Sequence, residues 1–157
     1  MSTRSLAHPA TRLGWQTKGL NYMHEPDALQ LHAETGADGL RLVVRGTMNA
    51  PFDKLKAILQ GLAHRPLTID VHELDFMRGD GTRLRLVSTP NGQSAELRRG
   101  LRQRAGAARE FEWLDSHEMW LESAEKIASL VDSESPCHQY LSSSSTDDAL
   151  VLISRGE

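Results

Sequence analysis

The sequence is poor in the features that mark secreted, disulfide-bonded and membrane-spanning proteins. It has one cysteine, Cys137, so no disulfide can form within the chain, as is usual in a reducing compartment. No run of apolar residues is long enough for a membrane-spanning helix. The N-terminal residues lack the apolar segment of a secretory signal. We therefore expect a cytoplasmic protein with no membrane partner.

Complete catalytic and cofactor-binding motifs are also missing. No Gly-x-Ser-x-Gly motif, dinucleotide-binding fingerprint or phosphate-loop lysine occurs. His117-Glu118 begins like a zinc-protease motif, but Leu121 stands where that motif needs its second histidine. We predict that the protein is not an enzyme and has no catalytic residue, no cofactor and no metal site.

Three residues leave a small enzyme with a nonstandard site as an alternative. Asp70 and His72 lie two positions apart on a predicted strand, so their side chains share a face and could act as an acid–base pair. Cys137 precedes His138, but neighbours on a strand point to opposite faces, so another histidine would have to activate the thiol. A solvent-facing strand and a buried cysteine explain these residues more simply.

Length and apolar periodicity predict one α+β domain over residues 28–157, preceded by a loosely structured lead-in over residues 1–27. A chain of this size has enough residues for one core, since a domain of ~150 residues buries roughly 70% of its unfolded surface. We expect a mostly antiparallel sheet of about six to seven strands with two or three helices packed on it. The predicted strands are 29–34, 40–45, 67–72, 83–86, 110–114, 137–141 and 149–154.

Two helices are predicted with defined starts, and a third is less regular. Asn49 followed by Pro51 is expected to begin a helix that ends before Pro66. Asp115, with Glu118 three residues later, predicts a capping box at the start of a helix that ends at Val131. Residues 94–105 carry arginines and leucines at helical spacing, although glycine lowers helix propensity at position 100.

Charged residues are sorted along the chain. Residues 78–109 contain eight arginines and two acidic residues, whereas residues 110–157 contain eleven acidic residues and two basic ones. The whole chain has a formal net charge of −3. Such sorting affects association with partners rather than the fold. A second interpretation is that each block only solvates one face, or that the two blocks pair with each other.

The arginine-rich block does not have the features of a nucleic-acid site. No aromatic residue occurs between Phe76 and Phe111, whereas surfaces that bind single strands interleave arginines with aromatic residues for base stacking. No clean recognition helix is predicted there either. We therefore predict no direct nucleic-acid contact.

The C-terminal residues resemble the ending of a family of bacterial immunity proteins. These are residues 137–141, a polar loop that contains Asp147 and Asp148, and residues 151–157. Proteins of this family accompany contact-dependent growth inhibition and related polymorphic toxins. The resemblance implies a small cytoplasmic protein that binds a cognate toxin domain, often a nuclease, and occludes its active site without catalytic residues.

The acidic C-terminal third gives this interpretation a physical basis. Nuclease sites are cationic, so a carboxylate-rich partner would associate quickly by electrostatic steering. An exposed Trp113 would anchor the contact, whereas Trp120 lies on the apolar stripe of its helix and is expected in the core. The predicted partner-binding residues are Glu110, Glu112, Trp113, Glu118, Glu122, Glu125, Asp147 and Asp148.

A second resemblance supports a different kind of binding module. Residues 67–81 are similar to the core of anti-sigma-factor-antagonist (STAS-type) regulatory domains. That family has a phosphorylatable serine after the aspartate of the loop, but here Asp80 is followed by Gly81, and the next residues predict a strand rather than a helix. A regulatory protein-interaction module without this switch is therefore the alternative function.

Overall fold

The computed structural model describes residues 27–89, 100–142 and 148–156, and the fold of these residues is α+β. Their helices are α1 (Phe52–His64) and α2 (His117–Val131), and a short 3-10 turn spans Val71–Glu73. Their strands are β1 (Leu29–Gly36), β2 (Gly39–Gly46), β3 (Thr68–Asp70), β4 (Met77–Gly79), β5 (Arg83–Thr89), β6 (Gly100–Gln103), β7 (Glu110–Ser116), β8 (Cys137–Ser142) and β9 (Leu150–Arg155).

The strands form two mixed sheets rather than one mostly antiparallel sheet. One sheet has the order β4-β1-β2-β9-β8, and the other has the order β3-β5-β7-β6. The pairs β1–β4, β2–β9 and β5–β7 are parallel, and the other described pairs are antiparallel. The α+β class is thus confirmed, whereas the expected number and direction of the strands are only roughly matched.

The five-stranded sheet contains the predicted hairpin of β1 and β2. In its register Leu31 lies opposite Val44, and Val44 in turn lies beside Ile153 of β9. All three side chains are buried, because alternate residues of each strand face the core. β9, residues 150–155, lies between β2 and β8 in this sheet, although it comes from the far end of the sequence.

The four-stranded sheet has an apolar face and a charged face. Leu84 and Leu86 of β5 alternate with arginines, and Phe111 and Trp113 of β7 alternate with glutamates. The register pairs leucine with aromatic residues, and all four of these apolar side chains are buried in the core. The alternation therefore places the charged residues of β5 and β7 on the opposite face.

Helices α1 and α2 contact each other and both contact β5. α1 buries Phe52, Leu55 and Leu59, and the buried side of α2 includes Trp120 and Ile127. Neither described helix combines the length and apolar composition that a membrane crossing needs.

The two helices begin differently from the prediction. Pro51, not Asn49, is the N-terminal cap residue of α1, and no side chain caps this helix. At α2 the cap is Ser116, whose hydroxyl accepts a hydrogen bond from the Met119 amide at 3.4 Å, so Asp115 lies one position too early. Glu118 therefore does not occupy the third helical position, where a capping box needs it.

The third predicted helix is wrong where the structure describes it. Residues 100–103 form strand β6, which pairs with β7, and residues 94–99 lie outside the described residues. Pairing with β7 buries Leu101 completely, and this long-range contact overrides a local helical pattern. The predicted lead-in, residues 1–27, lies outside the described residues except for Asp27.

The C-terminal end of β9 holds the end of α2 in place. The Arg155 guanidinium donates to the carbonyls of Leu130, Ser133 and Met48, at 3.2 Å and 2.9 Å for the first and last. Gly156 has a φ of +85°, and a Cβ there would lie 2.8 Å from the Met48 sulfur. Arg155 and Gly156, which belong to the stretch that resembles immunity proteins, thus have a structural role. We call the hydrogen bonds of Arg155 to these carbonyls the clasp.

Candidate functional site

A cavity of about 480 Å³ opens on the charged face of the four-stranded sheet. Its walls carry arginines from two strands, β5 and β6, which lie on either side of β7. Glutamates of β7 form the floor, and residues of β3 and the 3-10 turn close one end. We call this cavity the charged trough, and define it by Asp70, His72, Arg83, Arg85, Arg102, Arg104, Glu110 and Glu112.

Strand register places opposite charges side by side in the trough. Glu112 of β7 lies between Arg85 of β5 and Arg102 of β6. The polar residues of these strands alternate with core residues, so all three side chains point to the same face. The sequence signal for the trough is this alternation of arginine with leucine and of glutamate with aromatic residues.

At one end of the trough, Arg85 and Asp70 form a bidentate ion pair. Arg85 donates to Asp70 through Nε at 2.9 Å and through Nη2 at 3.2 Å. This hydrogen bonding lowers the pKa of the Asp70 carboxyl below its usual value and raises the pKa of the Arg85 guanidinium. A carboxylate held in its ionised form is poorly suited to accept a proton as a general base.

At the other end, Glu110 is shared by two arginines. Its Oε1 lies 3.6 Å from Nη1 of Arg83, and its Oε2 lies 3.3 Å from Nη1 of Arg104. The arginine side chains are 61% and 74% exposed, whereas the glutamate side chain is 32% exposed. The carboxylate therefore lies beneath the guanidiniums, and here the basic and acidic blocks pair with each other.

The loop before β5 also holds an acid–base pair. Asp80 accepts a 2.6 Å hydrogen bond from the Thr82 hydroxyl, and this bond is the main reason that the pKa of its carboxyl is lowered. Arg109 lies 3.3 Å from the same carboxylate. Asp80 is thus part of a turn between β4 and β5.

A different surface carries the helical members of the predicted contact set. Glu118, Glu122 and Glu125 are exposed on α2, and Met119 and Leu121 beside them are 38% and 41% exposed. At about 100° per residue, the two apolar side chains lie on either flank of the glutamates. We call these five residues the α2 surface. Met119 and Leu121 both fall outside the helix's apolar stripe, so the apolar periodicity of the sequence does not identify them as contact residues.

Trp113 is not the exposed anchor that was expected. It is 3% exposed, and its ring centroid lies 4.7 Å from that of Trp120 at an interplanar angle of 56°. The alternation along β7 places it on the same face as Phe111. Trp120 is fully buried, as predicted, and its indole donates to the Val87 carbonyl at 3.3 Å.

The predicted contact residues do not share one face. Glu110 and Glu112 line the charged trough, on the far side of the sheet from α2. Asp148 is exposed and bonds β6, accepting from the Gln103 amide at 3.0 Å and donating its own amide to the Leu101 carbonyl at 2.9 Å. Asp147 lies outside the described residues.

Of the three residues proposed for an enzyme, Asp70 and His72 lie near each other and Cys137 lies elsewhere. His72 lies in the 3-10 turn, because β3 ends at Asp70, and both residues line the trough. Cys137 is half-buried on β8, where its thiol lies 3.8 Å from the Leu130 carbonyl at the end of α2. Among the residues that the structure describes, no three histidine, cysteine or acidic side chains are grouped to hold a metal ion.

No protein-family model matches the chain, and no match is found among curated proteins or among solved structures. The two family resemblances that the sequence suggests therefore stay predictions.

Proposed function

We propose that this protein is an immunity protein that binds a cognate toxin domain through the α2 surface and occludes the toxin's active site. The observation that carries the proposal is the composition of this surface. Met119 and Leu121 are two of the three large apolar side chains exposed in the described part of the chain, and glutamates lie between them.

The two kinds of residue would have different roles in binding. Exposed apolar side chains supply much of the affinity of an interface once water is excluded from them, and Met119 and Leu121 would do so on either flank of the glutamates. The carboxylates between them mainly raise the association rate with a cationic partner and increase its dependence on salt. A nuclease domain, whose active site attracts phosphates, is a partner of this kind.

The rigidity of α2 favours such a role. Its 15 residues are long enough for a helix of about 22 Å, and its inner side is buried against the core. Ser116 caps the first turn, and Arg155 binds the carbonyls near the last turn. A helix held at both ends loses little conformational entropy on binding, which leaves more of the contact energy as affinity.

Co-expression with a toxin domain tests the proposal. The toxin to use is the C-terminal domain of a large secreted protein encoded directly upstream, if the gene has such a neighbour. The unaltered protein should restore growth and co-purify with the toxin. Equal killing with and without it, and no complex, would contradict the proposal.

Charge reversal tests the contribution of the glutamates. Changing Glu118, Glu122 and Glu125 to lysine should slow association at least about tenfold at low salt, and less at high salt, because steering is screened. A matched control reverses three exposed acidic residues elsewhere, namely Asp53, Asp75 and Glu134. Stopped-flow association rates that fall equally in both variants would indicate an effect of net charge alone, not of the α2 surface.

A further inference from the structure

We propose that the charged trough binds a small ligand that carries a chain of phosphate groups. The phosphates would accept hydrogen bonds from the arginines on both sides of β7. This site lies on the other side of the four-stranded sheet from α2, so the inference does not depend on the proposed function. It assigns a ligand to the arginine-rich block, which the proposed function leaves without a role.

The arginines are arranged as two walls. β5 and β6 lie on either side of β7, so the walls are about 10 Å apart at a strand spacing of ~4.8 Å. On β5, Arg83 and Arg85 are two residues apart and therefore about 7 Å from each other. Arg102 and Arg104 repeat this spacing along and just beyond β6. A linear chain of anionic groups can contact all four arginines at once, whereas a single anion can contact only one pair across the trough, as the Glu110 carboxylate does with Arg83 and Arg104.

The Glu110 carboxylate beneath the walls orients the guanidiniums of Arg83 and Arg104 without covering them. Glu110 is about half as exposed as Arg83 and less than half as exposed as Arg104, and it meets one nitrogen of each. A guanidinium has five donors, so most of the donors on both arginines remain for a ligand. This group of three has a net charge of +1, which attracts an anion to this end of the trough.

The chemistry of the walls favours phosphate. All four cationic side chains of the trough are arginines, whose planar donors bind phosphate oxygens in pairs. The volume of about 480 Å³ lies within the range of small-molecule sites.

Two features favour a small ligand over a nucleic acid. Phe111 is the one phenylalanine, tyrosine or tryptophan of the lining, and it is 3% exposed and faces the core, so only the His72 ring is placed to stack on a base. The chain has a net charge of −3, which opposes a long polyanion. A small ligand is affected mainly by charges within a Debye length of about 10 Å. There the four arginines are balanced by Asp70, Glu73, Glu110 and Glu112, so binding would depend on directed hydrogen bonds from the guanidiniums rather than on net charge.

Isothermal titration with inorganic tripolyphosphate at low ionic strength tests the proposal on the full chain. We expect saturable binding of one ligand, and at least about tenfold weaker binding by the double variant Arg83→Gln, Arg104→Gln, which loses charge-assisted hydrogen bonds on both walls. The control variant Lys56→Gln, Arg65→Gln removes the same charge on and after α1, outside the trough, and should bind within about twofold of the unaltered protein. Orthophosphate should bind at least about tenfold more weakly than tripolyphosphate, because one phosphate cannot reach all four arginines.

Three results would overturn the proposal. They are the absence of saturable binding, an equal loss in the trough and control variants, and tighter binding of a single-stranded oligonucleotide than of tripolyphosphate at equal phosphate concentration. If the double variant does not fold, the single variant Arg104→Gln takes its place, because this side chain is 74% exposed and pairs only at the surface. It should bind about threefold more weakly, and unchanged binding would also count against the site.

Discussion

The α2 surface and the charged trough differ in how their acidic residues are used. In the trough, Asp70 and Glu110 bind arginines of neighbouring strands, and their side chains are less exposed than those arginines. On α2, Glu118 and Glu125 are exposed beside Leu121. One acidic block of the sequence therefore supplies both the floor of an arginine-walled cavity and the carboxylates between two exposed apolar side chains. Charge along the chain does not by itself distinguish these roles.

The largest expected effect on the free energy of unfolding comes from a residue that packs between α2 and the four-stranded sheet. Trp120 is fully buried, packs on Trp113 and donates to a β5 carbonyl. Trp120→Ala should lower the free energy of unfolding by about 3–5 kcal/mol, because it leaves a cavity between α2 and the four-stranded sheet. Urea unfolding followed by circular dichroism measures this loss. A loss below about 1 kcal/mol would show that the helix does not depend on this contact.

A smaller effect on stability should be confined to α2 and should therefore distinguish the α2 surface from the trough. Arg155→Met removes the hydrogen bonds to the Leu130 and Met48 carbonyls, which lie at the end of α2 and after β2. We expect a loss of about 1–3 kcal/mol in the free energy of unfolding, from carbonyls left without these donors.

Hydrogen exchange shows where the clasp acts. In Arg155→Met, exchange should rise in the last turns of α2 and stay unchanged in β5 and β7, which form the trough. A uniform rise over both regions would contradict a local clasp. Arg65→Met, an exposed change that follows α1, is the control.

Acid should weaken the trough through Asp70. The Arg85 hydrogen bonds lower its pKa in the folded protein, so the pair stabilises the fold above the unfolded pKa of about 3.9, and this contribution is lost as the pH falls below it. Asp70→Asn should cost less than about 1 kcal/mol near pH 7, because the pair is partly exposed. The difference between variant and unaltered protein should shrink below about pH 4 in thermal melts. A difference that does not change with pH would mean that the ion pair does not stabilise the fold.

The smallest expected effect on stability is on the α2 surface. Leu121 is 41% exposed, so Leu121→Asp should change the free energy of unfolding by about 0.5 kcal/mol or less. The same change should weaken toxin binding about a hundredfold if the side chain anchors the contact. The control Gln60→Asp adds the same charge at an exposed position of α1, outside the α2 surface.

The sequence predicted elements more reliably than it predicted their partners. The hairpin of β1 and β2 and the strand at Arg83–Thr89 follow from local alternation and turn residues. The parallel placement of β9 beside β2 joins residues more than a hundred positions apart, and nothing in either strand's pattern specifies this neighbour. Strand β6 was predicted as helix for the same reason, because its conformation depends on pairing with β7.

The candidate surfaces were predictable only in part. The acidic residues of α2 were identified from charge alone, but Leu121 was not, because a single apolar residue in a polar helical stripe has no weight in a periodicity argument. The prediction of Trp113 as a surface anchor is wrong, because a strand's alternation does not tell which of its two faces meets the core. The trough needed the register of three strands, which only the fold provides.

The most direct test of the proposed function is a binding titration of the neighbouring toxin domain with the unaltered protein, Leu121→Asp and the control Gln60→Asp. We expect tight binding by the unaltered protein and by Gln60→Asp, and about a hundredfold weaker binding by Leu121→Asp at unchanged thermal stability. Equal affinity of all three proteins, or no binding by the unaltered one, would contradict the α2 surface as the site of toxin contact.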